Sequence, residues 1–449
     1  MKRFIEEYGI IVIVICLVLL MLGFTSGSIA NKGFSSTGET VEKMNSIFEN
    51  KIGDKTADTS ENKEPQKEPE TPTTLTGASE INQKIPDDVA SISFGGGNIP
   101  SGVSTVALAD DGTTKIQGWQ SGNAYYVDTT SSNKTITLQS DCSSMFKNKT
   151  KLTTVEFTNV DASAVTSMSS MFEGCSSLTT VSGLNLLNSS NVTDMSKMFK
   201  GCSALSSISL NSMSTENVSN MSSMFENCKS LKTADISNIE TASVTSFASM
   251  FKQDTSLISV TGIENLDTSN ATDLSRMFDR CNSIEKLDVS SWNTSNCTNM
   301  ASLFDMCYNL ESIDVSNFNT SKVTDMSGMF SACKSFKFLD VTNFDTSNVK
   351  DMSWMFMNLK KVKTLDLSSF NTSNVIAMQK MFCYDSSLET IYANPYTWDI
   401  SNVSDTYHSG DYNMTFTGCD NLIGARRFSS RNTSYTMAKF NRGYLTKKY

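Results

Sequence analysis

The side chains best suited to chemistry in this 449-residue sequence are its eleven cysteines, and their spacing disfavours most cysteine chemistry. Seven of them lie three residues after a recurring phenylalanine: Cys175, Cys202, Cys228, Cys281, Cys307, Cys333 and Cys419. Equivalent positions of neighbouring repeats point the same way, whereas a disulfide needs converging Cβ vectors. We therefore predict a buried ladder of free thiols that act as small hydrophobic side chains, with disulfides and redox or metal chemistry as alternatives. Cys142, Cys297 and Cys383 fit no pairing, and their roles stay open.

A second candidate is a row of acidic residues at one position of the repeat. Asp235, Asp288, Asp314, Asp340 and Asp366 occupy the outward position of a predicted strand in their respective units. Like charges repeated along a sheet face disfavour one another unless a cation, a backbone donor or a ligand balances them. Two interpretations stay open. Each Asp bonds its own loop or is solvated, or the row faces a protein, a glycan or a bridging cation, for which Ca²⁺ has no separate support.

Composition disfavours catalysis and nucleic-acid binding. The sequence has one histidine, His408, so catalytic triads and histidine-based metal sites are almost excluded. We also recognise no grouping of nucleophile, acid and base and no phosphate-binding loop. The formal net charge of −10 would present an acidic surface to a nucleic acid. We predict that the protein is not an enzyme and has no cofactor, no metal centre and no nucleic-acid partner.

A repeat of 26 residues, twice lengthened to 27, positions both sets of side chains. Its phenylalanines are Phe146, Phe172, Phe199, Phe225, Phe251, Phe278, Phe304, Phe330, Phe356 and Phe382. In the unit CYNLESIDVSNFNTSKVTDMSGMFSA (307–332), apolar residues alternate around Asp314, which predicts a half-buried strand. Met326, Met329 and Phe330 recur at spacings of three and four, which predicts a short helix with Asp325 in its first turn. The two 27-residue units carry Gly183 and Gly262, where we expect a one-residue bulge.

The phrase LDVSNFNTSNVTDMSxMFxxCxxL resembles the 26-residue repeat of BspA-like leucine-rich-repeat proteins, which are bacterial surface proteins. The resemblance covers about ten units over residues 142–424. It implies an α/β, leucine-rich-repeat-like solenoid with one parallel strand and one short helix per repeat, surface exposure, and adhesion or binding of host or matrix components. It brings no catalytic residues. Lys149, Asp254, Leu359 and Asp385 replace the expected cysteine, so we expect local irregularity there.

The flanking segments predict a membrane-attached solenoid with a cap at each end. Residues 9–24 (GIIVIVICLVLLMLGF) form an apolar run, so residues 1–30 are either a retained transmembrane helix or a cleaved signal peptide. Lys2 and Arg3 place the short N-terminal end in the cytoplasm. Residues 31–52 predict a short amphipathic helix, 53–80 a disordered linker, 81–141 a small β-rich cap and 425–449 a C-terminal cap.

These features favour a membrane-anchored bacterial cell-surface protein whose solenoid binds an extracellular protein or glycan. If the apolar segment is cleaved, the same protein would be secreted. The alternative is a structural or pilus-like surface component, because Glu7, Tyr8 and Gly9 weakly resemble the start of small pilin subunits.

Overall fold

The computed structural model describes residues 73–95, 99–109, 115–130, 135–187, 189–404 and 414–449. All of these residues belong to one compact unit, Thr71–Tyr449. The predicted membrane segment 1–30, the amphipathic helix 31–52 and most of the linker 53–80 therefore lie outside the described residues. In the part that is described, no helix has the length and apolar character needed to cross a membrane.

An N-terminal cap precedes the repeats and contains the single α-helix of the described residues, α1 (Ala78–Lys84). Its strands are β1 Thr73–Thr74, β2 Ser91–Phe94, β3 Val106–Ala107, β4 Ile116–Ser121, β5 Ala124–Thr129 and β6 Ile136–Thr137. β1 and α1 begin within the predicted linker 53–80, so the cap starts before the predicted residue 81. The turn at Gly122 and Asn123 joins the antiparallel pair β4 and β5.

The solenoid follows as a series of coils. Its strands are β7 Thr154–Phe157, β8 Val160–Asp161, β9 Thr180–Ser182, β10 Ser207–Ser209, β11 Thr233–Asp235, β12 Ser259–Thr261, β13 Thr364–Leu367, β14 Thr390–Ala393 and β15 Leu445–Lys447. Three 3-10 helices are Leu184–Leu186, Ile263–Asn265 and Tyr435–Met437. The sheets have the orders β3-β4-β5-β2-β7-β9, β1-β6-β8, β10-β11-β12 and β13-β14-β15. Because β2 pairs in parallel with β7, the cap continues directly into the repeats.

The predicted helix of each repeat is wrong. Its place is taken by overlapping turns, which we call the turn side, and the extended segments of the coils form the strand side. In one coil Ser302 and Met306 have φ values of 55° and 57°, which an α-helix does not allow. This reversal lets alternate N–H groups leave the coil: Phe304 donates to the carbonyl of Met329 in the next coil at 3.0 Å. The apolar pattern still marks the inward face, because Met300, Leu303, Phe304 and Cys307 are all fully buried.

The turn side is continuous along the solenoid. Single parallel bridges join one residue per coil through Asp141, Ser167, Asp194, Asn220, Ser246, Asp273, Asn299, Asp325, Asp351 and Ala377. Most of these residues also bond their own turn; for example, the Asp325 carboxylate accepts the N–H of Ser327 at 2.8 Å. Behind them the recurring phenylalanine rings stack, with centroids 5.2 to 6.2 Å apart between neighbouring coils.

The strand side is interrupted, so the prediction of one strand per repeat is only partly correct. Three consecutive coils, at 285–289, 311–315 and 337–341, carry no strand although all of their residues are described. They separate β12 from β13, and a second break lies between β9 and β10. The inward side chains nevertheless stay in the core, since Val289, Val315 and Val341 are at most 1% exposed.

The predicted bulges at Gly183 and Gly262 are also wrong, because each glycine instead precedes a 3-10 helix. Gly262 has a φ of 86°, and a Cβ there would lie 2.3 Å from the Cα of Ser237 in the preceding coil. The extra residue of these units is therefore accommodated by a 3-10 turn that only glycine can begin.

Candidate functional site

The five predicted aspartates form a strand-side acidic row that follows the solenoid axis. Asp235 ends β11 and Asp366 lies in β13, while Asp288, Asp314 and Asp340 lie in the three coils without a strand. The charge of Asp314 acts on Asp288, as expected for neighbouring coils. Asp288, Asp314 and Asp340 are exposed to solvent.

One carboxylate oxygen of each aspartate is held by its own turn. Oδ1 of Asp288 accepts the hydroxyl of Ser290 at 2.6 Å, and Oδ1 of Asp340 accepts the hydroxyl of Thr342 at 2.7 Å. Oδ1 of Asp314 accepts the backbone N–H of Ser316 at 3.0 Å. Hydrogen bonding by the following serine keeps the pKa of Asp288 and of Asp314 below the usual range. The interpretation that each Asp bonds its own loop therefore holds for Oδ1 of these carboxylates, and Oδ2 has to be considered separately.

The hydrogen bonding of the second carboxylate oxygen, Oδ2, differs between the two ends of the row and its middle. Oδ2 of Asp235 accepts the hydroxyl of Ser209 at 2.9 Å and the amide of Asn211 at 3.1 Å. Oδ2 of Asp366 accepts the ammonium of Lys448. For Asp288, Asp314 and Asp340, no donor to Oδ2 is found among the residues that the structure describes. The three central carboxylates thus present an oriented acceptor to solvent.

Lys448 is a residue of this site that the sequence did not reveal. It follows β15, which pairs in parallel with β14, and its ammonium lies 5.8 Å from the ring centroid of Tyr392. Contact with Asp366 raises the pKa of Lys448, to which Asp340 also contributes. Burial raises the pKa of Asp366, but Lys448 and Ser368 outweigh it, so that pKa is lowered. The end of the row therefore already binds a primary ammonium group.

The surface around the row is polar, with one prominent exception. Ser312 and Thr364 lie two residues before the row aspartates of their coils and are exposed. The equivalent residue in the coil between them is Phe338, which is 70% exposed. A partner of the central carboxylates would therefore also meet a large apolar side chain.

The cysteine ladder is a separate, buried feature. The seven ladder cysteines are free thiols and buried, as predicted, and Cys142, Cys297 and Cys383 are buried as well. The Cys307 thiol donates to the carbonyl of Phe278 in the preceding coil at 3.2 Å, and the other six ladder thiols make the equivalent bond. Burial raises the pKa of Cys175 to about 12, so this thiol does not become a reactive thiolate near neutral pH. Within the described ranges, no group of three or more metal-binding side chains occurs.

The departures from the cysteine pattern keep the coil geometry. Asp254 and Asp385 are almost fully buried, and their carboxylates accept the N–H groups of Cys228 and Leu359 at 2.7 Å. Burial raises the pKa of both carboxyl groups well above the usual range. Lys149 instead donates to the carbonyl of Ile85 in the cap at 2.6 Å.

A family model described as "Mycoplasma protein of unknown function, DUF285" matches residues 140–261, 253–339 and 328–419, which together are more than half of the chain. The chain belongs to the DUF285 family. The match coincides with the repeats and confirms the repeat-family resemblance drawn from the sequence. No curated protein gives a significant match to this DUF285 protein.

Solved structures that resemble this DUF285 protein include three bacterial repeat proteins. A leucine-rich cell surface protein of Faecalibacterium prausnitzii is 16% identical over 77% of this chain and 91% of its own, with a TM-score of 0.30. A leucine-rich-repeat protein of Leptospira interrogans is 14% identical over 61% of each chain, with a TM-score of 0.24. The functional domain of InlJ from Listeria monocytogenes, described as including a cysteine ladder, is 17% identical over 58% of this chain and 61% of its own, with a TM-score of 0.15.

Proposed function

We propose that this DUF285 protein is a bacterial surface protein whose solenoid binds an extracellular protein or glycan through the strand-side acidic row. The observation that supports this most is the free Oδ2 acceptor on Asp288, Asp314 and Asp340. Three oriented carboxylates in consecutive coils, at about the 4.8 Å spacing of neighbouring strands, form a regular series of acceptors along the solenoid. Their fixed Oδ1 contacts reduce the side-chain entropy that binding would otherwise cost.

The carboxylates of the row favour a partner that carries hydrogen-bond donors. Carboxylates accept charge-assisted hydrogen bonds from lysine and arginine, and they also accept from sugar hydroxyls. The contact between Lys448 and Asp366 is an intramolecular example of the first case. Because exposed charges are screened over about 8 Å at physiological ionic strength, binding to a basic partner should weaken as salt is added.

Surface attachment rests on the apolar run at residues 9–24, which would anchor the chain with the repeats outside the cell. The charged linker would then hold the solenoid away from the membrane. The solved bacterial proteins that this chain resembles include one described as a cell surface protein. Adhesion is the role that combines such an anchor with a binding solenoid.

Binding can be tested by pull-down of host, matrix and envelope components, followed by affinity measurement with the recovered partner. The Asp288/Asp314/Asp340→Asn triple variant should lose most of the affinity and the salt dependence. Asp235→Asn is the matched control, because its second oxygen is already bonded to Ser209 and Asn211. Unchanged affinity and salt dependence in the triple variant would move recognition to another surface of the protein.

Attachment can be tested on intact cells. Mild proteolysis should cut within residues 53–72 and release a compact fragment, while the remainder stays in the membrane fraction. Recovery of the protein in sheared filaments would instead support the pilus-like alternative. Preferred cleavage inside the repeats would contradict the exposed linker.

A further inference from the structure

The three coils without a strand coincide with a second irregularity, on the turn side. We call residues 279–341 the strandless segment. It begins at the turn-side residue Asp279 and ends with the last unpaired extended stretch, 337–341. Unlike the coils of β10 to β12, these coils have no strand ladder between their extended segments.

Residues directly after the stacked phenylalanines form a turn-side charged row. Its members are Lys147, Glu173, Lys200, Glu226, Lys252, Asp279 and Asp305. The first five alternate in sign: Lys147 pairs with Glu173 at 2.8 Å, and Glu226 lies between Lys200 at 2.8 Å and Lys252 at 3.2 Å. At the strandless segment the alternation fails, because Asp279 and Asp305 follow each other without a lysine between them.

Asp279 of this acidic pair is buried, Asp305 is partly buried, and both carboxylates are incompletely bonded. Asp279 is 6% exposed, and Oδ1 of Asp279 and Oδ1 of Asp305 are both buried without a hydrogen-bond donor among the described residues. The nearest cation to Asp279 is Arg280, whose Nε lies 3.6 Å from Oδ1. Arg276, Lys252 and Glu226 also face Asp279, and Arg280 and Ser331 face Asp305.

We infer that the strandless segment is a joint of the solenoid that closes when the Asp279–Asp305 pair takes up a proton from solvent. Two carboxylates in neighbouring coils repel each other when both are charged, and the burial of their oxygens strengthens that repulsion. One bound proton removes the repulsion and supplies a donor for an oxygen that has none. Since each coil contacts only its neighbours, loosening at one step lowers the stability of that step alone.

The proton is taken up in a physiological range. Burial raises the pKa of Asp305 from 3.8 to about 6; Ser331 opposes this and Asp279 adds to it. Burial also raises the pKa of Asp279, with Arg280, Lys252 and Arg276 opposing. A raised folded-state pKa means that the stabilisation is complete below 3.8 and is lost as the pH rises through about 6. The exposed Asp288 and Asp314 have lowered pKa values and stay ionised over this range.

Hydrogen exchange of the whole chain, read by mass spectrometry at about pH 5 and about pH 7.5, tests the joint. After correction for intrinsic exchange, protection of residues 279–330, the two coils that the pair joins, should fall about tenfold at the higher pH, because a folded-state pKa of about 6 leaves about one of the two pKa units of stabilisation at pH 5 and almost none at pH 7.5. Peptides from β10 to β12 are the internal reference and should change less. Asp305→Asn should keep high protection at both pH values, because its amide is neutral throughout.

Asp314→Asn is the matched control, since it removes an exposed carboxylate from the same coil and should keep the wild-type pH dependence. The inference is overturned if Asp305→Asn retains that dependence, or if the loss spreads equally to β10 to β12. If Asp305→Asn does not fold by circular dichroism, Asp279→Asn replaces it. That variant should lower the pH at which protection is lost, and an unmoved midpoint would overturn the inference.

Discussion

The two sides of the same coils respond differently to sequence variation. The turn-side bridges continue from Asp141 to Ala377 without a break, whereas the strand-side sheets stop at β12 and resume at β13. Most turn-side bridge residues are Asp, Asn or Ser that bond an N–H of their own turn, so each coil stabilises itself. Strand-side residues face the next coil, and like charges there disfavour pairing. A solenoid can therefore keep its shape on one side while the other side carries variable chemistry.

The largest difference between the sides should come from their phenylalanines. Phe304→Ala removes a fully buried ring between Phe278 and Phe330 and should lower the free energy of unfolding by about 3–5 kcal/mol. Phe338→Ala, on the exposed strand side, should change it by less than about 0.5 kcal/mol. Urea unfolding of both variants measures this, and equal losses would contradict the burial of Phe304 and the exposure of Phe338.

A buried carboxyl in the cysteine ladder should give the next largest effect. Asp254→Asn keeps an acceptor for the N–H of Cys228 but cannot ionise. Because the folded-state pKa of Asp254 is raised, wild-type stability falls as the pH rises above 3.8. The variant should equal the wild type near pH 4 and exceed it near pH 8 in thermal unfolding. Asp235→Asn is the control with the opposite sign, since the pKa of Asp235 is lowered.

The same local hydrogen bond should matter more on the turn side. Asp325→Ala leaves the N–H of Ser327 without its acceptor and should cost about 1 kcal/mol, as loss of a helix cap does. Asp314→Ala breaks the equivalent bond to Ser316 but also removes a charge beside Asp288, so the net cost should be smaller. Equal costs in chemical unfolding would show that strand-side repulsion is negligible.

The smallest effect is expected from the exposed row itself. The Asp288/Asp314/Asp340→Asn variant should be more stable than wild type by a few tenths of a kcal/mol at low salt, because repulsion between the carboxylates of neighbouring coils is relieved. The gain should vanish near 1 M salt, where the screening length is about 3 Å. Thermal unfolding at both salt concentrations checks this, and a gain that persists at high salt would point to a different cause.

Much of the solenoid follows from the sequence, because inward residues recur whether a segment is a helix or a chain of turns. Met300, Leu303, Phe304 and Cys307 are buried as predicted, yet their spacing did not distinguish the two conformations. A usable signal was the residue two after each phenylalanine, which is glycine or asparagine in several units, as at Gly174 and Asn358. Both residues tolerate positive φ and are poor helix formers.

The sequence predicts which positions form the acidic row, but it does not predict which of their second carboxylate oxygens are hydrogen-bonded. A shared repeat position placed Asp235 through Asp366 on one side, but the donors to their second oxygens come from distant residues. Lys448 reaches Asp366 from 82 residues away, after a C-terminal strand whose pairing the repeat does not specify. The pair Asp279 and Asp305 was readable in principle, as a break in the alternating charges that follow the phenylalanines.

The turn-side hydrogen bonds also give the solenoid a net dipole along its axis. On the turn side more N–H groups point toward the next coil, as from Phe146 to Met171, than point back, as from Thr166 to Ser140, so peptide dipoles of about 3.5 D leave a net dipole along the axis. The negative end faces the N-terminal cap, where Asn82 donates to the carbonyl of Lys147 at 3.1 Å. That field favours a cation at the first coil, where the buried ammonium of Lys149 is also paired with the carboxylate of Asp87 at 2.6 Å, whereas most later coils carry a neutral thiol.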